Sequence, residues 1–187
     1  VGGSSDNGNA VKNVVTINGG AVKDTIIRGG WAMGSGAETG IADGNKVIIT
    51  GADISSLGVS KIQGMVIGGT GATKAINNSV EVSGVKTANL SVIGGDSYNG
   101  ETSGNTVIVS GATTSIGTVT GGSSSEGNVY SNTVQVIEGA EVASANGGFA
   151  TMGAVGAAGK GNKVVVDGGL VPVVVYGGQA AVSGDVS

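Results

Sequence analysis

Two pairs of carboxylates stand close enough along the chain to work as a couple. Asp96 and Glu101 share the stretch GGDSYNGE with Tyr98, and Glu138 and Glu141 flank Gly139. Paired carboxylates can cleave glycosidic bonds, one as acid and the other as base or nucleophile, on β-helical scaffolds among others. The rest of the usual catalytic repertoire is missing. The chain has neither histidine nor cysteine, so no Ser-His-Asp or Cys-His arrangement can form. Zinc loses both of its usual ligands for the same reason. SDNGN at Ser4 and ADGN at Ala42 each offer one carboxylate, poor provision for a calcium ion that takes about six to eight oxygens. Asp6 and Asp43 read instead as turn formers. GGTGATKA at Gly68 is glycine-rich but lacks the Walker spacing. Solvated acidic turns account for both carboxylate pairs. The expectation is a protein that is not an enzyme and has no cofactor or metal, with a polysaccharide lyase or hydrolase as the minor alternative.

Composition narrows the remaining classes. Of 187 residues, 39 are glycine, and one is proline. No Gly-X-Y period exists, which excludes collagen. Disorder is disfavoured because 39% of residues are hydrophobic, many of them Val or Ile. Only five residues are aromatic: Trp31, Tyr98, Tyr130, Phe149 and Tyr176. Small and β-branched side chains in these proportions predict thin, layered packing. Acidic residues outnumber basic ones by 13 to 9, and Arg28 is the sole arginine. That balance offers no patch for a phosphate backbone and argues against nucleic-acid binding. No apolar run approaches the ~20 residues of a membrane span, so membrane insertion of this segment is not expected. No signal peptide is visible, and the chain opens on Val1 and closes on VSGDVS. It reads as one segment, residues 1–187, of a longer array.

The elements that would position any site repeat along the chain. NVVTING begins at Asn13, NKVIITG at Asn45, NSVEVSG at Asn78, NTVIVSG at Asn105, NTVQVIEG at Asn132 and NKVVVDG at Asn162. The fifth carries one extra residue, Ile137 or Glu138, before its glycine. A second signal, a short apolar stretch ending in Gly-Gly, alternates with the heptad. Successive Gly-Gly pairs are 27, 39, 26, 27, 26 and 30 residues apart. Within the heptad an inner row, Val15, Val47, Val80, Val107, Val134 and Val164, alternates with variable residues. A period of two with β-branched residues on one side is the mark of a half-buried strand.

Such a unit cannot bury its own apolar face, but stacked copies can. The expected fold is all-β: a right-handed parallel β-helix of about six to seven coils of 26–27 residues. Each valine should lie over its counterpart at about 4.8 Å, which makes six coils a rod of roughly 30 Å. The recurring Asn13, Asn45, Asn78, Asn105, Asn132 and Asn162 should form a ladder of their own, bonding up the stack or capping the turn. Gly-Gly should mark a bend that needs positive φ or close backbone approach. The competing architecture pairs the two strands of each unit as an antiparallel hairpin.

Two insertions enter the repeat at the same point, after Gly-Gly. They are WAMGSGAETGIADG from Trp31 and FATMGAVGAAGKG from Phe149. Per-repeat insertions often map to a binding face. Trp31, Met33, Phe149 and Met152 are therefore the candidate contact residues, on one edge of the rod and four turns apart. Covering the rod's own core is the alternative use of these side chains. A third insertion, SLGVSKIQG near Leu57, falls on the other connection.

VVYGGQA at Val173 and GGSSSEGNVYSNTVQV at Gly121 carry a resemblance to the glycine-rich repeats of bacterial autotransporter passenger domains and related large adhesins. The resemblance covers essentially the whole chain. It implies a β-helical stalk exported to the bacterial cell surface or secreted. The partners it implies are a host or neighbouring-cell surface protein or glycan, or other copies of the same chain. The lack of cysteine is compatible with export in an unfolded state. No catalytic residue transfers with the resemblance. Open ends of such a rod would also allow copies to stack into fibres.

Overall fold

The computed structural model describes residues 1–23, 26–36, 38–55 and 64–181. The third insertion, around Leu57, and the closing VSGDVS lie outside the described residues. The described chain is built from strands and turns, without a helix. Three long sheets run the length of the molecule. The Gly-Gly sheet stacks Gly3–Ser5, Ile26–Ala32, Met65–Gly71, Lys86–Ser97, Ser115–Ser124, Glu141–Ala150 and Val174–Tyr176 in chain order, with Gln179–Ala180 also on Glu141–Ala150. The heptad sheet stacks Val14–Asn18, Lys46–Thr50, Ser79–Ser83, Thr106–Ser110, Thr133–Ile137 and Lys163–Asp167. Between them in each winding lies a short strand: Ala10–Val11, Ile41–Asp43, Lys74–Ile76, Thr102–Ser103 or Val129–Tyr130. The weaker stretch after the heptad forms a two-stranded sheet, Ala21–Lys23 on Asp53–Ser55. In later windings it merges into the long strands that begin at Lys86, Ser115 and Glu141.

All pairs of strands are parallel; one isolated antiparallel bridge, Ile137 to Gly168, stands apart from them. The chain is therefore a parallel β-helix, and the hairpin architecture is not adopted. The register follows the repeat. Val15 pairs with Val47, Val47 with Val80, Val80 with Val107, Val107 with Val134, and Val134 with Val164. A second inner row runs through Ile17, Ile49, Val82, Val109, Val136 and Val166 in the same way. Ile137 stays in register with Ser110, so Glu138 is the extra residue of the fifth heptad.

The core lies between the heptad sheet and the Gly-Gly sheet. Val47, Val80, Val107 and Val134 are fully buried, facing a second stack of Ile27, Val66, Val92, Val119 and Ala145. Val15 and Val164, on the outer windings, are only partly buried. Each buried valine contributes on the order of 2 kcal/mol relative to exposure. No unit can collect that without a neighbour above and below, which is why the heptad must recur.

The heptad's closing glycine has its own cause. Gly51, Gly84, Gly111, Gly139 and Gly168 all sit at positive φ, between 61° and 88°. The chain leaves the sheet through the left-handed region there, and glycine enters it without the Cβ penalty. In the fifth heptad the extra Glu138 adopts φ 56° beside Gly139, so the insertion is absorbed in the turn rather than in the sheet.

Candidate functional site

The recurring asparagines occupy the corner where the chain enters the heptad sheet. Asn45, Asn78, Asn105 and Asn132 are completely buried. Each Oδ1 accepts two hydrogen bonds from the winding before it. Asn45 Oδ1, for example, accepts from the Asn13 backbone N–H at 3.0 Å and from Asn13 Nδ2 at 2.8 Å. The same pair of bonds joins Asn45 to Asn78, Asn78 to Asn105, Asn105 to Asn132 and Asn132 to Asn162. The second Nδ2 proton goes to a backbone carbonyl one winding back: Ala10, Ala42, Ala75, Thr102 and Val129 in turn. A carboxamide offers two donors and one oxygen with two lone pairs. All four valences are filled in the middle of the stack, so the amide is buried without penalty.

Gly-Gly and Asn are two sides of one contact. A Cβ on the second glycine of each pair would overlap the ladder amide: Gly30 with Asn45, Gly69 with Asn78, Gly95 with Asn105, Gly122 with Asn132. A Cβ on the first glycine would overlap a carbonyl of the next winding, as Gly29 does with the Gly68 oxygen and Gly94 with the Gly121 oxygen. Close approach, rather than positive φ, is what these pairs require.

The missing side chains also let the sheet fold back on its outer face at that step. Two outward rows flank it. One carries Arg28, Ile67, Ile93, Thr120, Asn146 and Tyr176, the other Trp31, Thr70, Asp96, Ser123, Phe149 and Gln179. The rows meet across the step. Arg28 Nε donates to Thr70 Oγ1 at 3.2 Å, and its guanidinium lies 5.0 Å from the centre of the Trp31 ring. Asn146 Nδ2 donates to Gln179 Oε1 at 3.3 Å. Between these bridges sits Asp96. Burial raises its pKa, against the opposing pull of a hydrogen bond from Ser123 and the charge of Arg28. Toward the carboxy-terminal windings the rows line an open cleft of about 270 Å³.

Trp31 and Phe149 stand in the same outward row, four windings apart through Thr70, Asp96 and Ser123. Both belong to strands and are half-buried, so the aromatic residues begin inside the sheet rather than in projecting loops. Met33 and Met152, two and three residues further on, are exposed at 40% and 56%. Arg28, Asn146, Tyr176 and Gln179 were not singled out as contact residues, though Tyr176 and Gln179 lie in the VVYGGQA stretch. Their shared signal was a position just outside each Gly-Gly pair, which means little until the bend is known.

Asp96 and Glu101 turn to different partners. Glu101 accepts a 2.8 Å hydrogen bond from Tyr130 on the next winding, which, with some burial, raises the phenol's pKa. Asp96 instead faces Ser123 and Arg28. Glu138 and Glu141 are both exposed. Asp43 accepts from Asn77 Nδ2 at 3.0 Å, and Asp6 is exposed. Among the described residues no three His, Cys, Asp or Glu side chains cluster as metal ligands would. Comparison with protein-family models, with curated proteins and with solved structures finds no match for this chain.

Proposed function

We propose that this chain is a non-catalytic structural and adhesive segment of a stalk, displayed on a bacterial surface or secreted. The observation that carries the reading is the unbroken asparagine ladder running beside stacked valines through every heptad. Such a construction uses its buried asparagine amides to hold windings together. The resemblance of the Gly-Gly and heptad repeats to autotransporter passengers and large adhesins supports export and display. Displaying the chain on a non-adherent bacterium tests the proposal. Attachment to host cells or to neighbouring bacteria above that of the empty display carrier is expected. Attachment no greater than the carrier's would overturn the adhesive part.

A second reading, a self-assembling fibre subunit, is favoured by the direction of the ladder. Within the ladder each asparagine gives its backbone N–H and one Nδ2 proton to the next asparagine and accepts on Oδ1 from the one before. Among the described residues, Asn13 Oδ1 receives no donor, while the Asn162 backbone N–H and one Nδ2 proton have no acceptor. Those ends are complementary, and a winding with asparagine at the same position, from a further repeat or from another copy, fits either. Exposed apolar residues accompany them, Val11 and Val14 at one end and Val166, Val173 and Val175 at the other. Electron microscopy of concentrated protein should show end-to-end rods; a uniform population of single particles would count against this reading.

A further inference from the structure

The outward groove beside the Gly-Gly step has an occupant that its lining specifies. We propose that it binds an uncharged oligosaccharide, laid along the rod axis over the windings that carry Thr120, Asn146 and Tyr176 on one wall and Ser123, Phe149 and Gln179 on the other. The proposal rests on the adhesive reading for its biological use, but the binding itself is a property of the groove.

The chemistry of the lining leads there. Phe149 and Tyr176 put aromatic rings into the lining, and the C–H face of a sugar packs on such rings as other apolar edges do. Gln179 supplies an amide, Thr120 and Ser123 hydroxyls, and the largely buried Asn146, whose Oδ1 accepts from the Gly148 N–H at 3.2 Å, an Nδ2 donor, so both donors and acceptors are present as sugar hydroxyls require. Their one mutual bond, Asn146 Nδ2 to Gln179 Oε1, is long at 3.3 Å and replaceable by a ligand hydroxyl. No charged side chain lines the cleft, and the chain's net charge of −4 repels polyanions. A peptide added as a strand is excluded, because Ser115–Ser124 and Glu141–Ala150 are already paired on both sides. The walls repeat at about 4.8 Å per winding, which suits a ligand that is itself a repeating chain.

Isothermal titration of the purified chain tests this with a panel of neutral gluco-, galacto- and manno-oligosaccharides. A sulfated glycan, a polyuronate and an unstructured peptide serve as comparisons. At least one neutral oligosaccharide should bind, and Phe149→Ala and Tyr176→Ala should each weaken it about tenfold. Ile108→Ser, on the outer face of the heptad sheet, should leave it unchanged. Tyr176 is 43% exposed, so its variant stays informative if Phe149→Ala loosens its winding. No binding of any neutral saccharide, binding confined to the polyanions or the peptide, or binding indifferent to both aromatic variants would each overturn the proposal. Saccharide binding by the purified chain without attachment by displaying cells would sink the adhesive reading and leave the groove standing. Attachment without saccharide binding would do the reverse.

Discussion

Asn105 shows what a single side chain does in this molecule. Its amide joins three windings at once, accepting from Asn78 and donating to Asn132 and to the Ala75 carbonyl. Asn105→Ala leaves buried donors on Asn78 and a buried acceptor on Ala75 without partners, each costing about 1–3 kcal/mol. A loss of about 4 kcal/mol in unfolding free energy is expected by urea titration. Asn13→Ala, at a half-buried end of the ladder, should cost about 1 kcal/mol. Asp96 makes the opposite kind of contribution. Burial favours its neutral form, so the folded protein holds this proton to higher pH than the unfolded chain does. Stability then falls as pH rises from the ordinary carboxylate value of 3.8 through the raised folded value. Asp96→Asn should melt at a higher temperature than the parent near neutral pH, and the difference should close in acid. Thermal melts across that range check both the sign and the window.

At the scale of the element, the Gly-Gly strand depends on what stands behind it. Gly95→Ala drives a methyl group into the buried Asn105 amide, where the ladder leaves no room to yield. The expected cost is about 2 kcal/mol or more. Gly161→Ala meets nothing within 4 Å and has no positive φ, so a change of about 0.5 kcal/mol or less is expected. Denaturant midpoints of the two variants decide whether close approach or chain flexibility explains the glycines. The heptad was readable as a strand because its apolar period of two survives in every copy. The period by itself leaves parallel stacking and hairpin pairing open, since both bury the same valines; the recurrence of the unit favoured the stack, and the Val-over-Val register is the one expected.

Across the molecule, the described strands of each winding pair with those of the windings on either side. Stability then builds up as a sum of neighbour contacts, and the ends are its weak points. Val80 and Val107 lie in fully buried layers, whereas Val15 and Val164 are partly open. Amide hydrogen exchange should be slowest in Ser79–Ser83 and Thr106–Ser110 and quicken toward Val14–Asn18 and Lys163–Asp167. Uniform protection along the rod would contradict the neighbour-only picture. The same one-dimensional construction explains why groove residues escaped notice in the chain. Asn146 and Gln179 are 33 residues apart, and neither lies in the heptad that announces the repeat.

The sequence alone determined the repeating strand, the inward valines and the need for a stack, because burying β-branched side chains at a period of two allows few other outcomes. It also placed the asparagines at a recurrent corner. Tertiary structure decided that Glu138 rather than Ile137 is absorbed in the turn, and that the second glycine of each pair faces an amide. It alone brought Arg28 over Trp31 and set Asn146 opposite Gln179. The physical reason is that stacking turns a separation of one repeat along the chain into a distance of one strand spacing, and only a defined register says which residues then meet.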